Sequence, residues 1–113
     1  MDHLKTVEII ETMEGFMERE RPPEEIREEV DMGYKIEGQS VIIFEIRPAW
    51  HKPDVILELP FAKATYVIAK DQWKTFWLRS NGNWDPYTPT PVVKSLNEFT
   101  ALVEEDAHHC FFG

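Results

Sequence analysis

The stretch YVIAKDQWKTFWLRSNGNWDPY, residues 66–87, holds three of the four tryptophans and two of the three tyrosines of a 113-residue chain. Two turn signals, Asp71-Gln72 and Asn81-Gly82, cut it into three short runs of strand-forming residues. Asn-Gly is the stronger signal, because a two-residue hairpin turn needs positive φ at both central positions. Two-residue turns at both places set a register in which Tyr66 faces Trp77 and Trp84 faces Arg79. Strand side chains alternate. Trp73, Thr75, Trp77 and Arg79 therefore share one face with Tyr66 and Trp84, and Val67, Phe76, Leu78 and Tyr87 take the other. An antiparallel meander lies at the centre of the chain, and the rest is read outward from it.

Upstream the period is also two. Val30, Met32, Tyr34 and Ile36 alternate with Asp31, Gly33, Lys35 and Glu37, which predicts a half-buried strand. Gly38-Gln39 turns the chain, and VIIFEIR (41–47) returns with apolar residues on both faces, the mark of a central strand. Pro48 ends that strand, and AWHKPD reads as a connection. Val55 to Leu59 begins another strand, interrupted by Pro60, which fits an edge, a bulge or a break; Phe61 to Ala69 continues extended.

The ends are helical. Leu4, Val7, Ile10, Met13 and Met17 recur at three- and four-residue steps with Phe16 beside them, predicting an amphipathic helix that Pro22-Pro23 stops. Gly15 lowers its propensity by about 1 kcal/mol relative to Ala, so packing must hold it. Pro23 can open a second short helix through Ile26. Downstream, Thr88 to Pro91 is a stiff connector, and Ser95 with Glu98 forms an S-x-x-E capping box ahead of Leu96, Phe99, Leu102 and Val103. The expected fold is α+β: an antiparallel meander of about five strands with an N-terminal helical hairpin and a C-terminal helix. One domain, 1–113, is expected, with a helical segment at 1–29, the sheet at 30–88 and the last helix at 95–106.

Twelve Lys and Arg against 21 Asp and Glu give a formal charge of −9, which sets nucleic acid aside as a partner. No apolar run is long enough to span a bilayer, and the start MDHLKTVEII does not read as a secretory signal. Cys110 alone makes no disulfide framework, so a cytoplasmic home is expected.

Three marks carry a family resemblance: F-E-x-R-P-x-W at Phe44–Trp50, W-x-x-x-W at Trp73 and Trp77 followed by Trp84, and the closing D-x-x-x-C-F-F-G. With IEGQSVIIFEIRPAW and LPFAKATYVIAKDQWKTFWLRSNGNWDPY around them, the chain from about Glu24 to Gly113 resembles the bacterial domain-of-unknown-function family 3024. The resemblance implies kinship. It brings no activity, cofactor or catalytic residue with it.

Two functional readings come from the residues. In the first, Tyr66, Trp73, Trp77, Arg79 and Trp84 form a stacking platform for a protein or small-molecule ligand. The bland alternative, that these rings are core under a helix, is favoured for most of them, since aromatics carry much of the burial in a small domain. In the second, Glu45 and Arg47, two apart on a strand and followed by His51, act as general base and anion clamp. Their bland reading is a structural ion pair. Asp54, Glu58 and Lys63 form a poor nuclease pattern, because Glu58 and Lys63 stand five apart and fall on opposite faces of a regular strand. His108, His109 and Cys110 are adjacent, which suits no tetrahedral metal site, and no metal or cofactor is expected. The leading expectation is a non-enzymatic binding or interaction module on the aromatic face, able to form a homodimer. The alternative is a small enzyme or metal-dependent hydrolase using Glu45, Arg47 and His51.

Overall fold

Asp2 opens the first helix by accepting the Lys5 N–H at 2.8 Å, and α1 runs from His3 to Glu20. The structure, a computed structural model, describes residues 1–112; Gly113, the last letter of the F-F-G ending, lies outside them. Ile9, Met13, Phe16 and Met17 are the buried residues of α1. The expected stripe was rotated: Leu4, Val7 and Ile10 face water, Leu4 at 76% exposure. At about 100° per residue, Leu4 stands half a turn around the helix from Met13. The step from Ile9 through Met13 to Phe16 keeps to one side, and that side packs.

Beyond Pro22-Pro23 the expected second helix is a single 3-10 turn, Glu24–Ile26. It has one large apolar side chain, Ile26, which is itself exposed, so nothing extends the turn by packing.

Among the described residues six strands follow: β1 (Asp31–Glu37), β2 (Ser40–Ala49), β3 (Lys52–Val67), β4 (Gln72–Leu78), β5 (Trp84–Pro86) and β6 (Val92–Val93). All pairings are antiparallel in the order β1-β2-β3-β4-β5, with β6 also on β4. β5 and β6 share the outer edge of β4, opposite Phe76–Leu78 and Trp73–Lys74 respectively. Between them Thr75 closes the gap. Its N–H donates to Pro91, its carbonyl accepts from Tyr87, and its buried hydroxyl donates to the Thr90 carbonyl at 2.5 Å. The apolar VIIF run sits as expected on a central strand, with Val41 and Ile43 buried toward one face and Ile42 and Phe44 toward the other.

α2 (Leu96–Glu105) has the first half of the expected capping box, Ser95 Oγ accepting the Glu98 N–H, while the Glu98 carboxylate reaches one residue further back and accepts the Lys94 N–H. Both helices contribute to one core with the sheet. Ile9, Met13, Phe16, Leu96, Phe99 and Val103 pack with Val41, Ile43, Ala62, Ala64, Trp73 and Tyr87. Asp106 ends α2 in the left-handed region at φ 43°. Its nearly buried carboxylate accepts the N–H of Phe111 at 3.0 Å and of Phe112 at 2.9 Å. These two bonds fold the tail back, setting Phe111 on Tyr87 and Phe112 on Phe61. The spacing of the D-x-x-x-C-F-F ending thus has a physical reason.

Candidate functional site

The turns decide where the aromatic residues go. Between β3 and β4 the chain makes a 3-10 turn, Ile68–Lys70, and closes it with Asp71 at φ 48°. The connection is four residues, so Tyr66 faces Trp73 and not Trp77. That four-residue slip is even, and Tyr66 keeps the face expected for it. At the second turn Arg79 N–H donates to Asn83, enclosing a three-residue loop with Gly82 at φ 86°. Three-residue hairpin loops place a glycine in the left-handed region in this way. Trp84 now faces Leu78, not Arg79. This slip is odd, so Trp84 goes to the opposite face of the sheet from Trp73 and Trp77. Tyr87, expected on the face opposite Trp73 with Phe76 and Leu78, is instead in the helix-side core, because its N–H bonds to Thr75.

The five residues expected to form one platform are therefore divided. Trp73 is 2% exposed, shut in the core; Trp77 is half-buried against it. Tyr66 stacks on Trp73 with ring centroids 5.0 Å apart, and its hydroxyl donates to Asp71 at 2.6 Å while the Lys5 amine lies 4.5 Å above its ring. Arg79 pairs with Asp85 at 3.2 Å beside Trp77. Trp84 stands alone on the outer face.

There it meets a different arrangement. Lys63 Nζ lies 4.8 Å from the centroids of both Phe76 and Trp84, and Lys35 Nζ is 5.8 Å from that of Phe44. Lysine stems cover apolar surface while their ammonium groups rest on ring faces. Burial lowers the pKa of Lys63 below the usual lysine range. Ile42 and Phe44 are buried beneath this layer although they face away from the helix-side core. The outer face is therefore closed by its own side chains.

The exposed apolar surface is elsewhere. β1 pairs with β2 only as far as Ile46, and β4 pairs with β3 only from Ala62. Beyond these limits β2 and β3 continue as a two-stranded ribbon, Arg47 to Phe61, turning through Trp50-His51. The expected connection AWHKPD is the tip of this arm. Trp50 is 92% exposed and Ile56 58%, and Val55, Leu57 and Leu59 are each exposed at 37–41%. Register puts Leu57 and Leu59 on one face with Arg47 and Glu45, and Ile56 and Glu58 on the other with Pro48 and Ile46. The β2–β3 register shifts at two places, Pro48/Ala49 near the tip and Ile43/Phe44 below the foot of the ribbon.

Glu45 and Arg47 are brought together, as the ion-pair reading expected, and Arg47 Nη2 donates to Glu45 Oε2. His51 lies at the tip with its ring against Trp50 at 5.4 Å. Glu45, opposite Met32 of β1 at the foot of the ribbon, is engaged by its own neighbour, and His51 is turned toward the tryptophan. Glu58 and Lys63 do reach the same face, against expectation, because the bulge at Phe61 inserts one residue between them. Their partners Ile46 and Ile42 are four residues apart, about 13 Å along a strand, too far to share an ion. Burial raises the Cys110 thiol above its ordinary pKa, and no three His, Cys, Asp or Glu side chains gather to hold a metal among the described residues.

Sequence reasoning passed over the arm. The signal was present in the run Val55-Ile56-Leu57-Glu58-Leu59 between Pro53 and Pro60, which has too many apolar residues for a half-exposed edge. What sequence lacks is the length at which β1 and β4 stop covering it.

No helix is long and apolar enough to cross a membrane among the described residues. No curated protein and no solved structure matches the chain. The resemblance found in the F-E-x-R-P-x-W, tryptophan and C-F-F-G marks extends to the N-terminal helix as well: a family model matches residues 1–113, and the chain belongs to the family described as Domain of unknown function (DUF3024).

Proposed function

We propose that this protein is a non-enzymatic interaction module that engages a protein partner through the β2–β3 arm. The observation that carries this reading is a ribbon with large apolar side chains exposed at its tip and on both of its faces. An isolated two-stranded hairpin is marginal in water, and scattered single apolar residues on a surface are ordinary. Five large apolar side chains exposed together on one ribbon, Trp50, Val55, Ile56, Leu57 and Leu59, are not scattered singles, and clustered exposed apolar surface marks interaction sites. Trp50 is suited to be the anchor, since tryptophan is enriched among the residues that dominate binding energy.

The reading keeps the interaction module expected from sequence and moves its surface. With Trp73 in the core, the tryptophan face that was to bind a ligand serves as the platform on which the helices pack. A photo-crosslinking side chain at position 50, compared with one at the exposed loop residue Asn81, tests the proposal in cells producing the full chain. Adducts to protein, of this chain or another, are expected from position 50 above those from 81. Equal yields from the two positions would sink the reading.

A further inference from the structure

We infer that the occupant of the arm is a second copy of this chain, packed face to face about a two-fold axis on the side bearing Leu57, Leu59, Glu45 and Arg47. The inference rests on the docking reading above and names its partner.

The edges of the arm are poor templates for strand addition. Pro53 and Pro60 lack N–H groups, and the register breaks at Pro48/Ala49 and Ile43/Phe44. Prolines and bulges of this kind blunt an edge against backbone pairing. What remains is side-chain packing on a face, and the two faces differ in charge. One carries Ile56 with Glu58, an acidic group that would oppose itself across a two-fold axis. The other carries both signs, Glu45 and Arg47, beside Leu57 and Leu59. A two-fold axis passing between Glu45 and Arg47 on that face would set each Arg47 against the second copy's Glu45, exchanging two local pairs for two crossed ones.

Net charge favours the same choice. The whole chain is −9, but residues 45–59 hold Glu45, Asp54 and Glu58 against Arg47 and Lys52, which is −1 and leaves −8 for the rest. Two such acidic molecules repel through most of their surface and least through the arm. The exposed apolar surface also continues toward the body, where Phe112 is partly exposed against Phe61. The arm and this end present roughly 300–400 Å² of apolar surface per copy, taking about 200 Å² for Trp50 and about 100 Å² for each fully exposed aliphatic side chain. With all of this surface covered, and at the usual apolar share of an interface, two copies would bury at most about 1,200 Å², the lower limit for a specific dimer.

The test is sedimentation of the full chain from micromolar to hundreds of micromolar, with circular dichroism to verify that each variant is folded. The wild type is expected to dimerise with concentration. Leu57→Glu and Trp50→Ser should each weaken the dimer at least tenfold. Glu45→Arg and Arg47→Glu should each weaken self-association, and an equimolar mixture of these two variants should recover a dimer near wild-type affinity. Recovery is the outcome that a merely structural role for the pair does not produce. A wild type monomeric at every concentration overturns the inference, and so does a dimer indifferent to Leu57→Glu and Trp50→Ser or unrestored by the mixture. A monomer that still gives adducts at position 50 removes the second copy and leaves the docking reading standing. No adducts and no dimer remove both.

Discussion

Replacing Gly33 by alanine tests the account of the sheet's outer face. Gly33 on β1 lies opposite Phe44 on β2. A Cβ built on it meets Phe44 Cζ at 2.9 Å and Cε2 at 3.0 Å, with Ile46 Cδ1 at 3.6 Å. Carbon atoms rest at about 3.5–4.0 Å, so the ring must withdraw by at least half an ångström. Phe44 is 7% exposed and sits under Lys35, so withdrawal lifts it from its packing. Overpacking of this kind costs about 1–3 kcal/mol, and the stiffer unfolded chain returns about 0.4–1 kcal/mol. The net expectation is a loss of about 0.5–2 kcal/mol in urea unfolding, with the slope m unchanged. Phe44→Leu should relieve the contact, so the double variant should show a coupling of about 0.5 kcal/mol or more. Gly15→Ala is the control. There the nearest atom is the end of the flexible Arg19 side chain at 3.5 Å, and a stabilisation of up to about 1 kcal/mol is expected from helix propensity. Gly33→Ala at or above wild-type stability, or strict additivity with Phe44→Leu, would refute the reasoning.

Three further outcomes follow from single contacts. The Arg21 guanidinium, bonded to Asp31 at 2.8 Å through both carboxylate oxygens, holds the Asp31 pKa at about 2. A carboxyl depressed in the folded state stabilises fully above its ordinary value near 4, and the stability is lost as pH falls through about 2. In Arg21→Gln the Asp31 carboxyl carbon, followed by NMR, should titrate back toward about 4; an unmoved midpoint would contradict the pair. Trp50→Phe should remove most of the acrylamide-quenchable tryptophan emission and Trp73→Phe the best-shielded part, since the two are 92% and 2% exposed; equal quenching of the four tryptophans would contradict the arm. Asp106→Ala removes the acceptor of two tail N–H groups and puts alanine at φ 43°, for an expected loss of about 2–4 kcal/mol in urea unfolding. Asp106→Asn tolerates that backbone and keeps an acceptor, so it should lose less than half as much.

Periodicity made most of the elements legible. The alternation from Val30 to Ile36, the two-faced run VIIF and the S-x-x-E box each correspond to a strand or helix near where they were read. Loop length was not legible, and it governs everything built on register. Asp71-Gln72 and Asn81-Gly82 identify where the chain reverses, but three- and four-residue connections replace the two-residue ones. An even error kept Tyr66 on its face; an odd error sent Trp84 to the other. The single platform of Tyr66, Trp73, Trp77, Arg79 and Trp84 depended on that parity. The helix was misjudged for a related reason, since steps of three from Leu4 to Ile10 drift off the 3.6-residue period and leave the packed side.

The arm has the same origin at a larger scale. The run Val55 to Leu59 of β3 is rich in residues that favour extended backbone, and nothing local says whether a third strand lies beside it. That is fixed by where β1 begins and where β4 ends, which follow from the Pro22-Pro23 stop and the loop after Leu78. Because β1 starts only at Asp31, Arg47 to Ala49 have no neighbour on the outer side of β2; because β4 ends at Leu78, neither does β3 before Ala62. The apolar run 55–59 is thus the same kind of sequence as the buried run 41–44, left open by its position in the sheet. A strand with core composition but without core cover is short of a partner, and the mixed charge beside Leu57 and Leu59 suits a second strand pair of the same composition.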